Sequence, residues 1–202
     1  MHLQNNQNEI ILLTPALLKK MFDFQQVESL VFINEKIENL AKKRAIKKLS
    51  NEKIHKRNQW ITSLYGEERK LGILDHLVIR FMNPLVGYGV YTLSTIPTYT
   101  YIGEYGGLVR KRSWWKDQKN NYVFAYDIAS KRTPWVIDAK RQGNFTRFFN
   151  HSFTPNLTST WIISEGVCHI IFFSNRQIQK GEQLTYDYGP YFWKKRPYPI
   201  TI

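Results

Sequence analysis

Cysteine is almost missing from this sequence, and so are long apolar runs, acidic side chains and any internal repeat. Cys168 stands alone among 202 residues, which excludes an internal disulfide and a multi-cysteine zinc centre. No apolar run approaches the length of a membrane span. The opening stretch "MHLQNNQNEIILLTPALLKKM" has no basic segment before its short apolar run and no small-residue cleavage site behind it, so it is not expected to be a secretory signal. These absences together predict a folded, reduced, non-membrane protein. The Asn-x-Ser/Thr patterns at Asn144, Asn150 and Asn156 are then chance matches and not sugar acceptors. Acidic residues number 16 against 29 lysines and arginines, a net charge of +13. Such a surplus favours polyanions, nucleic acid or an anionic membrane, or serves only as a solvated surface.

What is present is a globular composition, 43% hydrophobic and 15% aromatic, enough to bury a sizeable core. Two textures divide it. Residues 1–74 read as a basic helical N-terminal region. From Val27 to Leu49, the positions Leu30, Ile33, Ile37, Leu40, Ala41, Ala45, Ile46 and Leu49 recur at helical spacing, with Lys42, Lys43, Arg44, Lys47 and Lys48 between them. A second helix is expected through residues 51–72. The stripe is expected to pack on the body of the protein; dimerisation through it, or DNA contact through the basic face, are the alternatives. From Asp75, short β-prone runs such as "HLVIRFM", "GVYTLSTI" and "CHIIFFSN" are broken by Gly, Pro and Asn. The long crossover helices of parallel α/β units are lacking, so residues 75–189 are expected to form a compact, mostly β domain of several small sheets. Residues 190–202 follow as an aromatic C-terminal segment.

Four motifs carry chemistry. Gly87, Tyr88 and Gly89 precede a strand, where glycines let backbone approach a ligand. "YIGEYGGLV" follows with Glu104 and Tyr105, then "GNFTRFFNHSFTPN" with Arg147, Asn150 and His151, then "GEQLTYDYGPYFWKKRP" with Tyr186, Asp187, Tyr188 and Trp193. In this order they resemble the SET-domain protein lysine methyltransferases, over about Val78 to Trp193. The combination "EYGGLVRKR", "GNFTRFFNHS" and "DYGPYFWKK" is similar to the short bacterial SET proteins of chlamydial type, which are regarded as secreted effectors that modify chromatin proteins.

The resemblance implies an α+β, mostly β SET fold with a threaded pseudoknot, residues 75–189 being the SET domain. It implies protein-lysine N-methylation from S-adenosyl-L-methionine, on histones or bacterial histone-like proteins, in the bacterial cytoplasm or a host nucleus. Transfer to lysine needs a neutral amine, alignment and exclusion of water, and a free lysine with a pKa of about 10.4 is protonated at neutral pH. Tyrosines suit a channel that holds such an amine. By motif, Tyr188 is the catalytic tyrosine, Tyr122 lines the channel, and Tyr186 adds a hydroxyl that limits product mainly to monomethyllysine. Gly87, Tyr88, Gly89, Arg147, Asn150 and His151 are expected at the cofactor. Glu104, Asp138 and Asp187 are expected to be structural. Many relatives have cysteine where Phe153 stands and a trailing zinc cluster; both are missing here, so no metal is expected, and Tyr191, Phe192 or Trp193 would supply that wall by stacking on the adenine. The alternative function is a non-catalytic SET-like module that binds chromatin or nucleic acid.

Overall fold

The protein is described here by a computed structural model covering residues 1–71, 76–194 and 196. The expected boundary between residues 74 and 75, and the tail from 197 to 202, lie outside the described residues.

The N-terminal region is not only helical. Its strands β1 (His2–Gln4) and β2 (Ile10–Leu12) lead to α1 (Pro15–Phe22), which starts on a Thr14 side-chain cap with proline in its first turn. Then come β3 (Gln25–Gln26), β4 (Leu30–Phe32), α2 (Glu35–Leu49) and α3 (Glu52–Leu71). The helix expected from Val27 therefore starts at Glu35. Asn34 is its cap, its side chain accepting the Ile37 N–H at 3.0 Å, and Leu30, Val31 and Phe32 pair as a strand instead. The apolar stripe packs inward through Ile37, Ala41 and Ala45, while Leu40 and Ile46 stay exposed.

The remainder builds β5 (Leu77–Asn83), β6 (Gly87–Thr92), β7 (Tyr101–Glu104), β8 (Gly107–Lys111), α4 (Trp114–Gln118), β9 (Val123–Ala125) and β10 (Trp135–Gly143). A 3-10 turn at Phe145–Phe148 precedes β11 (Asn150–His151), β12 (Leu157–Ser164), β13 (Val167–Ser174), β14 (Thr185–Tyr186) and α5 (Pro190–Trp193). Four small sheets result, ordered β2-β1-β5-β6, β3-β10-β8-β4 with β9 on β10, β12-β13-β7, and β11-β14. N-terminal strands join two of them: β1 runs parallel to β5, and β3 and β4 run parallel to β10 and β8. The central strand β13 is buried along most of its length, because α2 packs against it and β12 and β7 flank it. That is why "CHIIFFS" reads as a continuous apolar run and not an alternating one. Among the described residues, no helix is long and apolar enough to cross a membrane.

Candidate active site

Two loops and one threaded segment bring the motifs together. Gly87 has φ +81°, a conformation open to glycine at little cost. At Gly89 a Cβ would run into Gln183 Nε2 and sit 3.0 Å from Asn150 Nδ2, so any larger residue would push those two side chains aside. Residues 182–188 are held on one side by β6, with Leu184 N–H donating to Val90 O at 2.8 Å, and on the other by β11, which runs parallel to β14. Asn156 pins the same segment: its amide donates to Gln183 O at 2.7 Å and its Oδ1 accepts the Thr185 N–H at 2.9 Å. This pairing sets Asn150 and His151 beside Tyr186 and Tyr188.

The tyrosines form one cluster, Tyr105 buried and Tyr186 and Tyr188 half-buried. The ring centroids of Tyr186 and Tyr188 lie 4.7 Å apart, and Tyr186 also packs on Phe124 and Phe172. Tyr105 packs on the same two phenylalanines. The Tyr188 hydroxyl donates to Phe149 O at 2.7 Å, and the Tyr105 hydroxyl donates to Tyr122 O at 3.0 Å. Each proton is tied to a backbone carbonyl, so the oxygen lone pairs are what each phenol can offer a ligand. Burial, reinforced by neighbouring tyrosines, pushes the phenols of Tyr105, Tyr186 and Tyr188 above their usual value. None of the three is a phenolate at neutral pH.

His151 adjoins the cluster through the Tyr188 ring, 5.4 Å between centroids. Burial holds its imidazole below the usual value against the opposing charge of Asp187, so it is neutral. Its Nδ1 accepts the Tyr188 N–H at 3.2 Å, which places the proton on Nε2, a buried atom with no hydrogen-bond partner among the described residues. Asn150 Nδ2 donates to Tyr88 O at 3.0 Å. Helix α5 closes over both: Trp193 packs on His151 at 4.8 Å and Phe192 on Tyr188 at 4.5 Å. Arg196 anchors that helix by donating to the carbonyls of Asp117 and Asn120.

Two of the expected cofactor residues also have partners within the protein. The Tyr88 ring turns into an aromatic group with Phe22, Phe81 and Phe148, leaving its backbone, not its ring, toward Asn150. Arg147 is a core residue: it donates to Ala139 O and Lys140 O, and its guanidinium lies 3.9 Å over the Tyr122 ring. It thereby orients Tyr122. Glu104 is structural, its carboxylate accepting from Ser29, Arg69 and His169. Burial pushes that carboxyl up, but the hydrogen bonds and charge of His169, Ser29 and Arg69 outweigh it and hold it below the ordinary range. Asp138 serves Arg110 and Asn120. Tyr105 is the site residue to which sequence reasoning gave no role; its adjacency to Glu104 in "GEYGG", at the end of β7, is the available signal, since successive residues of an extended chain face opposite sides. Cys168 is buried and its thiol pushed up to about 11 by burial, so it fills space.

A family model described as "SET domain" matches residues 87–189. The chain belongs to the SET domain family. Its relatives are histone-lysine methyltransferases. It is 37% identical over 113 residues to histone-lysine N-methyltransferase EHMT1 of Mus musculus, covering 54% of this chain and 9% of that protein. It is 36% identical over 113 residues to histone-lysine N-methyltransferase SUV39H2 of Gallus gallus, covering 50% of this chain and 27% of that protein. The chain thus spans well under a third of the length of these curated relatives. Among solved structures, SUVH6 of Arabidopsis thaliana in complex with SAM superposes with a TM-score of 0.53 at 27% identity, over 63% of this chain and 31% of that one. KRYPTONITE in complex with mCHH DNA, H3(1-15) peptide and SAH gives a TM-score of 0.51 at 29% identity, over 63% and 26%. Both cover the SET fold described above; the N-terminal strands and helices lie outside the family match.

Proposed function

We propose that this protein is a protein-lysine N-methyltransferase that uses S-adenosyl-L-methionine and acts on histones or basic histone-like proteins, yielding mainly monomethyllysine. The observation that carries the reading is the pair of neutral phenols, half-buried Tyr188 and buried Tyr105, whose protons are tied to Phe149 O and Tyr122 O.

The residues fit the cofactor. The buried, unpartnered Nε2–H of His151 is a donor aimed at no protein acceptor, and Gly87 and Gly89 leave backbone bare beside Asn150. Those four residues would hold it, with Trp193 as a wall. S-adenosyl-L-methionine supplies a methyl group on a positively charged sulfur. The chain's own part is to prepare the acceptor. Lone pairs of Tyr188 and Tyr105 take up N–H bonds of the lysine and fix its nitrogen in line. Rings of Phe124, Phe172 and Tyr186 exclude water, and exclusion of water favours the neutral amine. Because Tyr188 stays protonated near neutral pH, it orients the amine and does not remove its proton. The added hydroxyl of Tyr186 occupies room that a further methyl on the same nitrogen would need.

The resemblance of "EYGGLVRKR" and "DYGPYFWKK" to chlamydial-type SET proteins supports a bacterial effector that reaches host chromatin, and the net charge of +13 supports contact with DNA. Dimerisation through the exposed Leu40 and Ile46 belongs to the same proposal. The test is intact-mass spectrometry of histones and of a bacterial histone-like protein after incubation with the methyl donor. Wild type should add one methyl to lysine, and Tyr188→Phe should lose about 100-fold or more of the rate, the scale of removing one oriented polar group at a transition state. Unchanged activity in that variant would discard the role given to Tyr188.

A further inference from the structure

A second cationic surface stands beside the tyrosines, away from the basic helices. The stretch after β8 carries Lys111, Arg112, Lys116 and Lys119, all exposed. Its acid, Asp117, lies 2.6 Å from the Arg110 guanidinium, which also holds Asp138. The carboxylates of this neighbourhood are neutralised internally, and the exposed charge is positive. Trp115 is 81% exposed within the same stretch. A large indole face left this open forgoes the burial that stabilises tryptophan elsewhere and marks a contact surface.

The stretch adjoins the site. Arg112 N–H donates to Pro134 O at 2.8 Å, close in sequence to Arg132, whose guanidinium lies 5.1 Å over the Tyr191 ring, while the Lys194 ammonium lies 4.9 Å from the same ring. Arg196 then links α5 to Asp117 and Asn120. Cations and an indole thus flank the helix that packs on Tyr188 and His151. A lysine-rich substrate approaching alone meets like charge there. Charge on the basic helices is partly paired within them instead, Lys42 with Glu38 and Lys56 with Glu52 at 2.6 Å each.

We propose that this rim binds nucleic acid, phosphates lying on Lys111, Arg112, Lys116 and Lys119 and an exposed base stacking on Trp115, so that substrates reach the tyrosines as nucleic-acid-bound proteins. The delivery half of the proposal rests on the methyl-transfer reading; the binding half does not. The experiment measures anisotropy of a labelled single strand and of its duplex across a salt series, with the full chain. Lys116→Glu/Lys119→Glu should weaken binding by roughly tenfold or more and reduce the salt slope by about one per lysine. Trp115→Ala should weaken the single strand more than the duplex, and Lys47→Glu/Lys53→Glu on the helices should change neither appreciably. Rim variants that bind as wild type, loss confined to the helix variant, or no binding to either probe would each overturn the proposal. So would a wild type that ignores nucleic acid and prefers peptides whose lysine is flanked by carboxylates. In parallel, the rim double variant should methylate free peptide as wild type does yet lose stimulation by added DNA. Rim-dependent binding with no methylation of any substrate would remove the methyl-transfer reading and leave the surface standing.

Discussion

At the residue scale, the site depends on which protons are already taken. Tyr188 and Tyr105 donate to main-chain carbonyls, so both present acceptors, and burial keeps both neutral. Tyr186 packs against Phe124, Phe172 and Tyr188, with a hydroxyl where phenylalanine would have none. Tyr186→Phe should shift the product from monomethyl toward di- and trimethyllysine at retained turnover, read by mass spectrometry of a single-lysine peptide; an unchanged product distribution in an active variant would remove Tyr186 as the limiting group. The motifs made Tyr186, Tyr188, Asn150 and His151 legible in sequence because their spacing is short and local. They did not show that the Tyr88 ring turns toward Phe22, or that Arg147 serves Ala139 O, since both facts depend on partners from the distant N-terminal segment and β10.

At the element scale, two connections stand out. Helix α5 lies over the site through Phe192 and Trp193, with Arg196 joining it to the α4 loop. Trp193→Ala should weaken binding of the methyl donor by roughly tenfold, the scale of a lost aromatic contact, with a small change in thermal midpoint, measured by calorimetric titration beside a melting scan. A large drop in midpoint with unchanged affinity would make Trp193 a plug of the core. The other connection is Glu104, where β7, β13, α3 and the Ser29 loop meet. Its folded-state pKa is depressed, so its share of stability is present above the ordinary carboxylate value and is lost as pH falls through the lower folded value. Glu104→Gln should cost about 3–5 kcal/mol, since Arg69 and His169 would be left facing a neutral group, and should flatten the acid limb of stability against pH in urea titrations. Such long-range ion groups have no sequence signature. Residues 27–33 show the same limit: their helical periodicity yielded to strand pairing with β8, a tertiary preference that outweighs local pattern.

At the scale of the whole molecule, the N-terminal region is part of the fold. Leu3, Leu13, Leu18 and Phe24 are buried in the main core, and β1, β3 and β4 complete sheets begun by later strands. Deleting residues 1–70 should therefore yield insoluble or unfolded protein by circular dichroism, and a soluble, cooperatively melting fragment would contradict this reading. Composition foresaw a single sizeable core and several small sheets, but parallel pairing across such separations left no periodic trace. Charge reversals on intact protein are thus the sound way to separate the helix face from the rim.

The pairing of residues 25–26 with 142–143, and of 150–151 with 185–186, also sets an order of assembly. Loop closure over such distances is slow, and contacts that span a chain form late. While the chain emerges from a ribosome, β3 waits for a partner more than a hundred residues behind, and the tyrosine cluster waits for β14. Until Thr185 and Tyr186 have left the tunnel, a nascent chain therefore has no finished tyrosine cluster, and the site forms after the sheets around it.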